Sequence, residues 1–276
     1  NFMDVYLDAV FYPNITEETF MQEGWHHELE RHDKNIKYKG VVFNEMKGVF
    51  SNPESIIDRH LAQSLFPKTT YGFESGGDPD AIPDLTYNEF KNFHKTYYHP
   101  SNSRIFFYGD GDTLGYLNFL DSKYLNSFES TKIESAVSSQ RRFSKPKRKV
   151  IFYPISKGES LDKKTFVIVG LKLDKSTNHE HCLAFSILSY LLLGTSASPL
   201  RKALLESEFG SEIIGGGFDD NRFETMFAVG LKGTEISHEN EILELIFSTL
   251  KNLVDHGIEE KMITSAVNSI DFKLRE

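Results

Sequence analysis

The sequence contains one cysteine, Cys182, in 276 residues. A single thiol excludes an internal disulfide framework and any zinc site built from several thiolates, and it permits a reducing compartment. No apolar run approaches the roughly 20 residues that cross a bilayer, and Asn1-Phe2-Met3-Asp4 lacks the basic and apolar regions of a signal peptide. Positive charge is in deficit, with 31 Lys and Arg against 40 Asp and Glu and a formal net charge of −9. That balance speaks against nucleic acid as the partner of the chain as a whole. Tryptophan occurs once, yet 23 Phe and 12 Tyr supply ample core material. A chain of this length removes roughly 75% of its unfolded surface from water, enough for one large domain or two ordinary ones.

The first half alternates helical and extended patterns. Thr16 begins a short helix over 16–22, Trp25 to Tyr38 reads as a hairpin turning near Asp33 to Asn35, and Val41, Val42, Met46 and Val49 suit a helix with one buried stripe. Asn52 with Pro53 starts the next helix, which carries Ile56, Ile57, Leu61 and Leu65 to Pro67. Tyr71 to Pro83 is rich in Gly and Pro and forms a long loop of the kind that is often functional. Thr86 with Glu89 is a capping box before a helix whose Phe90, Phe93, Tyr97 and Tyr98 read as core, with His99-Pro100-Ser101-Asn102 as its stop. Arg104 to Tyr108 is a predicted strand, and Leu114 to Leu120 a helix.

Residues 129–149 change character, being rich in Ser, Thr, Lys and Arg, and are read as a linker between a domain over 1–128 and another over 150–276. Strands at Val150 to Pro154 and Thr165 to Leu173 are followed by a helix that a second capping box, Thr177 with Glu180, opens and Gly194 closes. Ser198-Pro199-Leu200-Arg201 starts another helix, Gly215-Gly216-Gly217 makes a flexible turn, Glu224 to Leu231 a strand, and a long helix ends at Gly257. The last stretch, from Ile258 through Met262, Ile263, Ala266, Val267 and Ile270 to Leu274, carries one helical face. Because both ends fall inside such patterns, the chain reads as part of something longer. The fold class expected is α+β, in two similar domains, each a mostly antiparallel sheet packed against helices.

Zinc is the first chemistry to test. His26, His27, Glu28, Glu30 and His32 cluster, but His27 and His32 stand one position too far apart for the helical HExxH spacing, and in a strand His27 points away from His26 and Glu28. His179-Glu180-His181 diverges around a helix start. Nucleophilic schemes fare no better: GxSxG is absent, Cys182 lies in an apolar helical pattern, and the glycine triplet lacks the Lys-Ser/Thr of a phosphate loop. Arg141, Arg142, Lys145, Lys147, Arg148 and Lys149 form a short basic run without interleaved aromatics, which reads as a solvated linker ahead of an anionic-polymer site. Glu45 differs from all of these. It is an isolated carboxylate among Val41, Val42, Phe43 and Met46, and must be exposed by the helix's rotation, paired with a cation, or bound to a metal.

GVVFNEMKGVFSNPE at 40–54, SGGDPDAIPDLT at 75–86, FHKTYYHPSNSRIFFYGD at 93–110, LLLGTSASPLRKALLES at 191–207 and FAVGLKG at 227–233 resemble the presequence-protease branch of the pitrilysin superfamily. The match runs in order over nearly the whole chain. It implies a zinc endopeptidase that cuts short unfolded peptides inside a closed chamber made from related domains, in mitochondria, plastid-type organelles or another soluble compartment. Members hold zinc through an inverted HxxEH motif on one helix and a distal Glu on a following helix, and the resemblance maps that distal ligand onto Glu45. HxxEH, which also supplies the general base, does not occur in this sequence. The resemblance therefore implies that these residues alone are inactive and bind zinc weakly or not at all. The partners it implies are peptide substrates and the remaining domains of the same polypeptide. A rival within the superfamily is a catalytically silent scaffold or partner subunit.

Overall fold

The computed structural model describes residues 2–29 and 35–276. The expected turn at Asp33 and Lys34, together with Glu30 and His32 of the histidine cluster, lies outside them. In chain order the elements are α1 (Phe2–Phe11), α2 (Glu17–Thr19), β1 (His26–Leu29), β2 (Ile36–Lys39), α3 (Val41–Val49), α4 (Pro53–Leu65), α5 (Tyr87–Tyr97), α6 (Thr113–Lys123), β3 (Thr165–Lys175), α7 (His179–Leu193), α8 (Pro199–Glu206), β4 (Glu212–Asp219), β5 (Glu224–Thr234), α9 (Glu239–His256) and α10 (Glu260–Arg275). The fold is α+β, and both sheets are antiparallel.

The chain divides into two compact units, one of residues 1–50 and 74–137, the other of 51–73 and 138–276. Residues 51–73 thus leave the first unit, pack with the second and return. The physical reason is α4, whose Leu61 and Leu65 lie on strand β3. Asn52 caps that helix by accepting from the backbone N–H of Glu54 (2.8 Å) and Ser55 (3.2 Å), with Pro53 at the first position, where its missing N–H costs least.

In the first unit two small cores form. Leu7, Phe11, Leu120 and Tyr124 make one, where α1 meets α6; Phe43, Met46 and Ile82 make the other, with Trp25 and Phe50 against it. Tyr124 donates to the Asp4 carboxylate, and burial together with that carboxylate pushes its phenol up to about 12. Strands β1 and β2 pair from His26↔Lys39 to Leu29↔Ile36. The capping box at Thr86 and Glu89 is complete in both directions.

Three expectations for this unit are corrected. In α3 the buried residues are Phe43 and Met46, while Val41, Val42 and Val49 are exposed. Phe90, Phe93, Tyr97 and Tyr98 are likewise exposed and form no core among the described residues. Residues 104–108 form no strand, because no described strand pairs with them and an unpaired edge has no ladder to join.

The second unit is built on a three-stranded sheet in the order β3-β5-β4. Leu192, Leu200, Leu204, Phe227, Val229, Leu231, Ile242 and Ile246 form its core, and Val167, Val169 and Leu173 pack against them from alternate positions of β3. Val150 to Pro154 is irregular, so the strand predicted there is absent. Asn178, not Thr177, caps α7, accepting from the His181 N–H. The glycine triplet is a bulge inside β4 and not a free turn, since Ile214 pairs with Gly230 and Gly217 with Ala228. Along α10 only Ala266 is buried, while Ile263, Val267 and Leu274 of the predicted face stay exposed.

An ion pair is buried in this unit. Lys172 Nζ donates to Glu224 at 2.6 Å, the two side chains being 14% and 7% exposed. Glu224 also accepts the Gln140 N–H at 2.5 Å, and Gln140 Oε1 accepts the Lys68 N–H at 2.9 Å. Removing one partner leaves the other charge buried and uncompensated. Glu224→Ala is therefore expected to destabilise the fold by about 3–5 kcal/mol in urea denaturation, whereas a loss near that of a surface substitution, about 0.5 kcal/mol, would show the pair to be dispensable.

Candidate metal-ligand helix

Helix α3 starts where the chain leaves β2 through Gly40. That residue has φ of +150°, and a Cβ there would lie 2.1 Å from the Gly24 carbonyl oxygen, so only glycine brings the two backbones this close. Phe43 and Met46 turn inward onto Ile82 of the loop, and the loop's Gly76 leaves room for the Met46 sulfur. Trp25 Nε1 donates to the Leu85 carbonyl at 2.9 Å and holds the end of the same loop. Part of 75–83 thus serves as packing beneath α3.

With Phe43 and Met46 inward, rotation of about 100° per residue carries Glu45 to the opposite side, beside Val41, Val42 and Val49. Glu45 is exposed, and no hydrogen bond or ion pair joins it to another described residue. Of the three fates open to this carboxylate, the structure gives exposure, on a face shared with Val41, Val42, Gly48 and Val49. Glu45→Gln is expected to leave the folding stability of these 276 residues within about 0.5 kcal/mol, read by thermal unfolding, and a larger loss would reveal a structural partner.

The other candidates are engaged in the fold. His26 Nδ1 meets the Met21 carbonyl at 2.7 Å and Nε2 lies 3.8 Å from Glu28, while the His27 ring sits on the other side against Tyr38, at 5.0 Å between centroids. His99 Nδ1 accepts the Ser101 N–H (3.1 Å), as a helix stop should. Ser198 Oγ accepts the Thr195 N–H (3.0 Å) and donates to the Tyr190 carbonyl, closing α7 rather than facing a ligand. Cys182 directs its thiol to the Ser176 carbonyl, and burial, aided by Asp220 and Asp174, raises its pKa away from the thiolate form a nucleophile needs. In the basic run Arg148 makes a two-toothed pair with Glu239 (2.5 and 2.6 Å), Lys149 meets His60 and Lys147 lies over the Phe143 ring. Among the described residues no group of three His, Cys, Asp or Glu is placed to hold a metal.

His181 belongs to a cap cluster at α7. Asp174 accepts from the Lys175 N–H (2.8 Å), His181 Nδ1 (2.6 Å) and Asn178 Nδ2 (2.8 Å), and these bonds hold its carboxyl below the usual range. A depressed carboxylate contributes stability above its unfolded pKa of about 3.9 and loses it as pH falls through the lower folded value. Asp174→Asn should accordingly be less stable than the parent above about pH 4 and converge with it below; a gap independent of pH in denaturation midpoints would contradict this.

The model of the family described as peptidase M16 inactive domain matches residues 84–270, and the chain belongs to that family. Among individual proteins, it is 46% identical over 281 residues to presequence protease 1, chloroplastic/mitochondrial, of Arabidopsis thaliana, and 45% identical over 278 residues to protein HypA of Clostridium perfringens. It is 35% identical over 284 residues to the mitochondrial presequence protease of Xenopus tropicalis. All of this chain is covered in each case, but only 26–28% of those relatives' length. A solved peptidase M16 inactive domain from Pseudomonas fluorescens superposes with a TM-score of 0.68 over 98% of this chain and 59% of that one; at 14% identity this speaks for the fold alone. Helix α3 lies before the matched 84–270, so the inactive-domain description does not extend to Glu45.

Proposed function

We propose that these residues are part of a zinc metalloendopeptidase that degrades short unfolded peptides in a closed chamber, with Glu45 as the distal zinc ligand. The observation that carries the reading is an exposed carboxylate, unpartnered among the described residues, on the apolar outer face of α3. A carboxylate left beside valines has no structural return in this fold, whereas a ligand must keep its oxygen open. Its chemistry fits zinc, which takes Asp or Glu oxygen at about 2.0–2.2 Å together with imidazoles. The donors described here supply one ligand and no base, so two histidines and the general base come from elsewhere in the longer polypeptide. When bound, zinc supplies Lewis acidity and an activated water. Glu45 would anchor the metal by one oxygen and lower the site's net charge.

On this reading 1–128 is the later part of the zinc-binding domain, 129–149 a linker and 150–276 the earlier part of a second, similar domain. Peptides and the remaining domains of the same chain are the partners, and a mitochondrion or plastid is the compartment, as the names of the relatives suggest. No described helix is long and apolar enough to cross a membrane. The silent-scaffold reading draws on the inactive-domain match over 84–270. Zinc analysis separates the two. The 276 residues alone are expected to retain far less than one equivalent after dialysis, and the full-length protein one equivalent that Glu45→Gln removes. Full-length protein that holds no zinc would favour the scaffold, and one equivalent in the 276 residues would contradict the missing-ligand account.

A further inference from the structure

Helix α10 packs on α7 within the second unit, and beside the seam where Ala266 is buried the two helices leave an open groove of about 900 Å³. That volume falls in the range of roughly 300–1,000 Å³ found for ligand sites. Tyr190 of α7 lines one wall, and Lys261, Thr264, Asn268, Phe272 and Lys273 of α10 line the other. Positions 261, 264, 268 and 272 recur at the spacing of one helical face, so the groove runs lengthwise along α10.

The polar groups of this groove are idle in the fold. No hydrogen bond or ion pair joins the Tyr190 hydroxyl, the Lys261 ammonium, the Thr264 hydroxyl or the Asn268 amide to another described residue. Lys261 is the odd one among them. It stands in the first turn of α10, where the positive end of the helix suits Glu260 and disfavours a cation, and no carboxylate among the described residues pairs with it. At the other end the Lys273 ammonium lies over the Tyr190 ring, 5.5 Å from its centroid, and is held at the groove by an aromatic face in place of an acid.

These groups match an extended peptide with acidic ends. The Asn268 amide carries a donor and an acceptor, the pair that complements the C=O and N–H of an extended residue, whereas a helix has already used its own backbone groups. The rise along α10 from Lys261 to Lys273 is about 18 Å, the span of five or six extended residues at about 3.3 Å each. A carboxylate at each end of such a segment meets a lysine.

We infer that the α7–α10 groove binds an extended acidic peptide segment of about six residues, with Asn268 holding its backbone and Lys261 and Lys273 its carboxylates. The groove contains no metal ligand, so the inference goes beyond the zinc reading and stands whether or not Glu45 binds zinc.

The experiment uses the full-length protein with a metal chelator present, so that the probe is not cut, and reads fluorescence anisotropy of a blocked hexapeptide with glutamate at each end. The parent is expected to bind this probe saturably, and about 10-fold more tightly than a probe with glutamine at each end. Asn268→Ala and Lys261→Glu, both at exposed positions, are each expected to weaken binding about 10-fold. Lys251→Glu, the same change of charge outside the groove on α9, is expected to leave it unchanged. Absence of saturable binding by the parent, equal affinity for the two probes, or unchanged affinity in both groove variants overturns the inference. An equal loss in Lys251→Glu and Lys261→Glu also overturns it, because the peptide would then be sensing net charge and not the groove.

Discussion

The second unit depends on one buried carboxylate. Glu224 gathers the Lys172 ammonium from the neighbouring strand and the Gln140 amide from the irregular segment ahead of β3, and Gln140 in turn holds the end of the arm at Lys68. A charge 5% exposed must be compensated wherever it sits. Here the compensation draws three stretches, distant in sequence, onto one sheet. The sheet then offers its main core to α8 and α9 and its other face, at Gly170, to α4.

Local features of this fold were legible in the sequence. Asn52-Pro53, the Thr86–Glu89 box and Gly257 marked helix ends because a cap is made by residues within one turn of each other. Strand segments were less so. Arg104 to Tyr108 and Val150 to Pro154 have the residues of strands, but a strand exists only where a second segment supplies the ladder, and no described strand does. The glycine triplet failed for the converse reason: flexible residues were drawn into a strand by pairing with β5. The Thr177 box lost to Asn178, whose amide does two things at once: Oδ1 accepts the His181 N–H and Nδ2 donates to Asp174.

At the candidate site the sequence singled out the odd carboxylate, and its resemblance to presequence proteases proposed a use for it. Apolar periodicity in α3 did not reveal which face was covered. It reports that valines and aromatics recur on a helix, and Phe43 and Met46 took the inward side while Val41, Val42 and Val49 stayed out. The seat of Leu61 on Gly170 was invisible, since it depends on two segments meeting far apart in the chain. Its local sign was a glycine inside a largely apolar strand segment.

The role proposed for Glu45 is to lend an oxygen to zinc in the full-length protein. Zinc-edge X-ray absorption of that protein, with and without Glu45→Gln, tests it most directly. The account predicts one carboxylate oxygen beside imidazole nitrogens at about 2.0–2.2 Å, lost from the spectrum when Glu45 is replaced. An unchanged coordination sphere in the variant would contradict it.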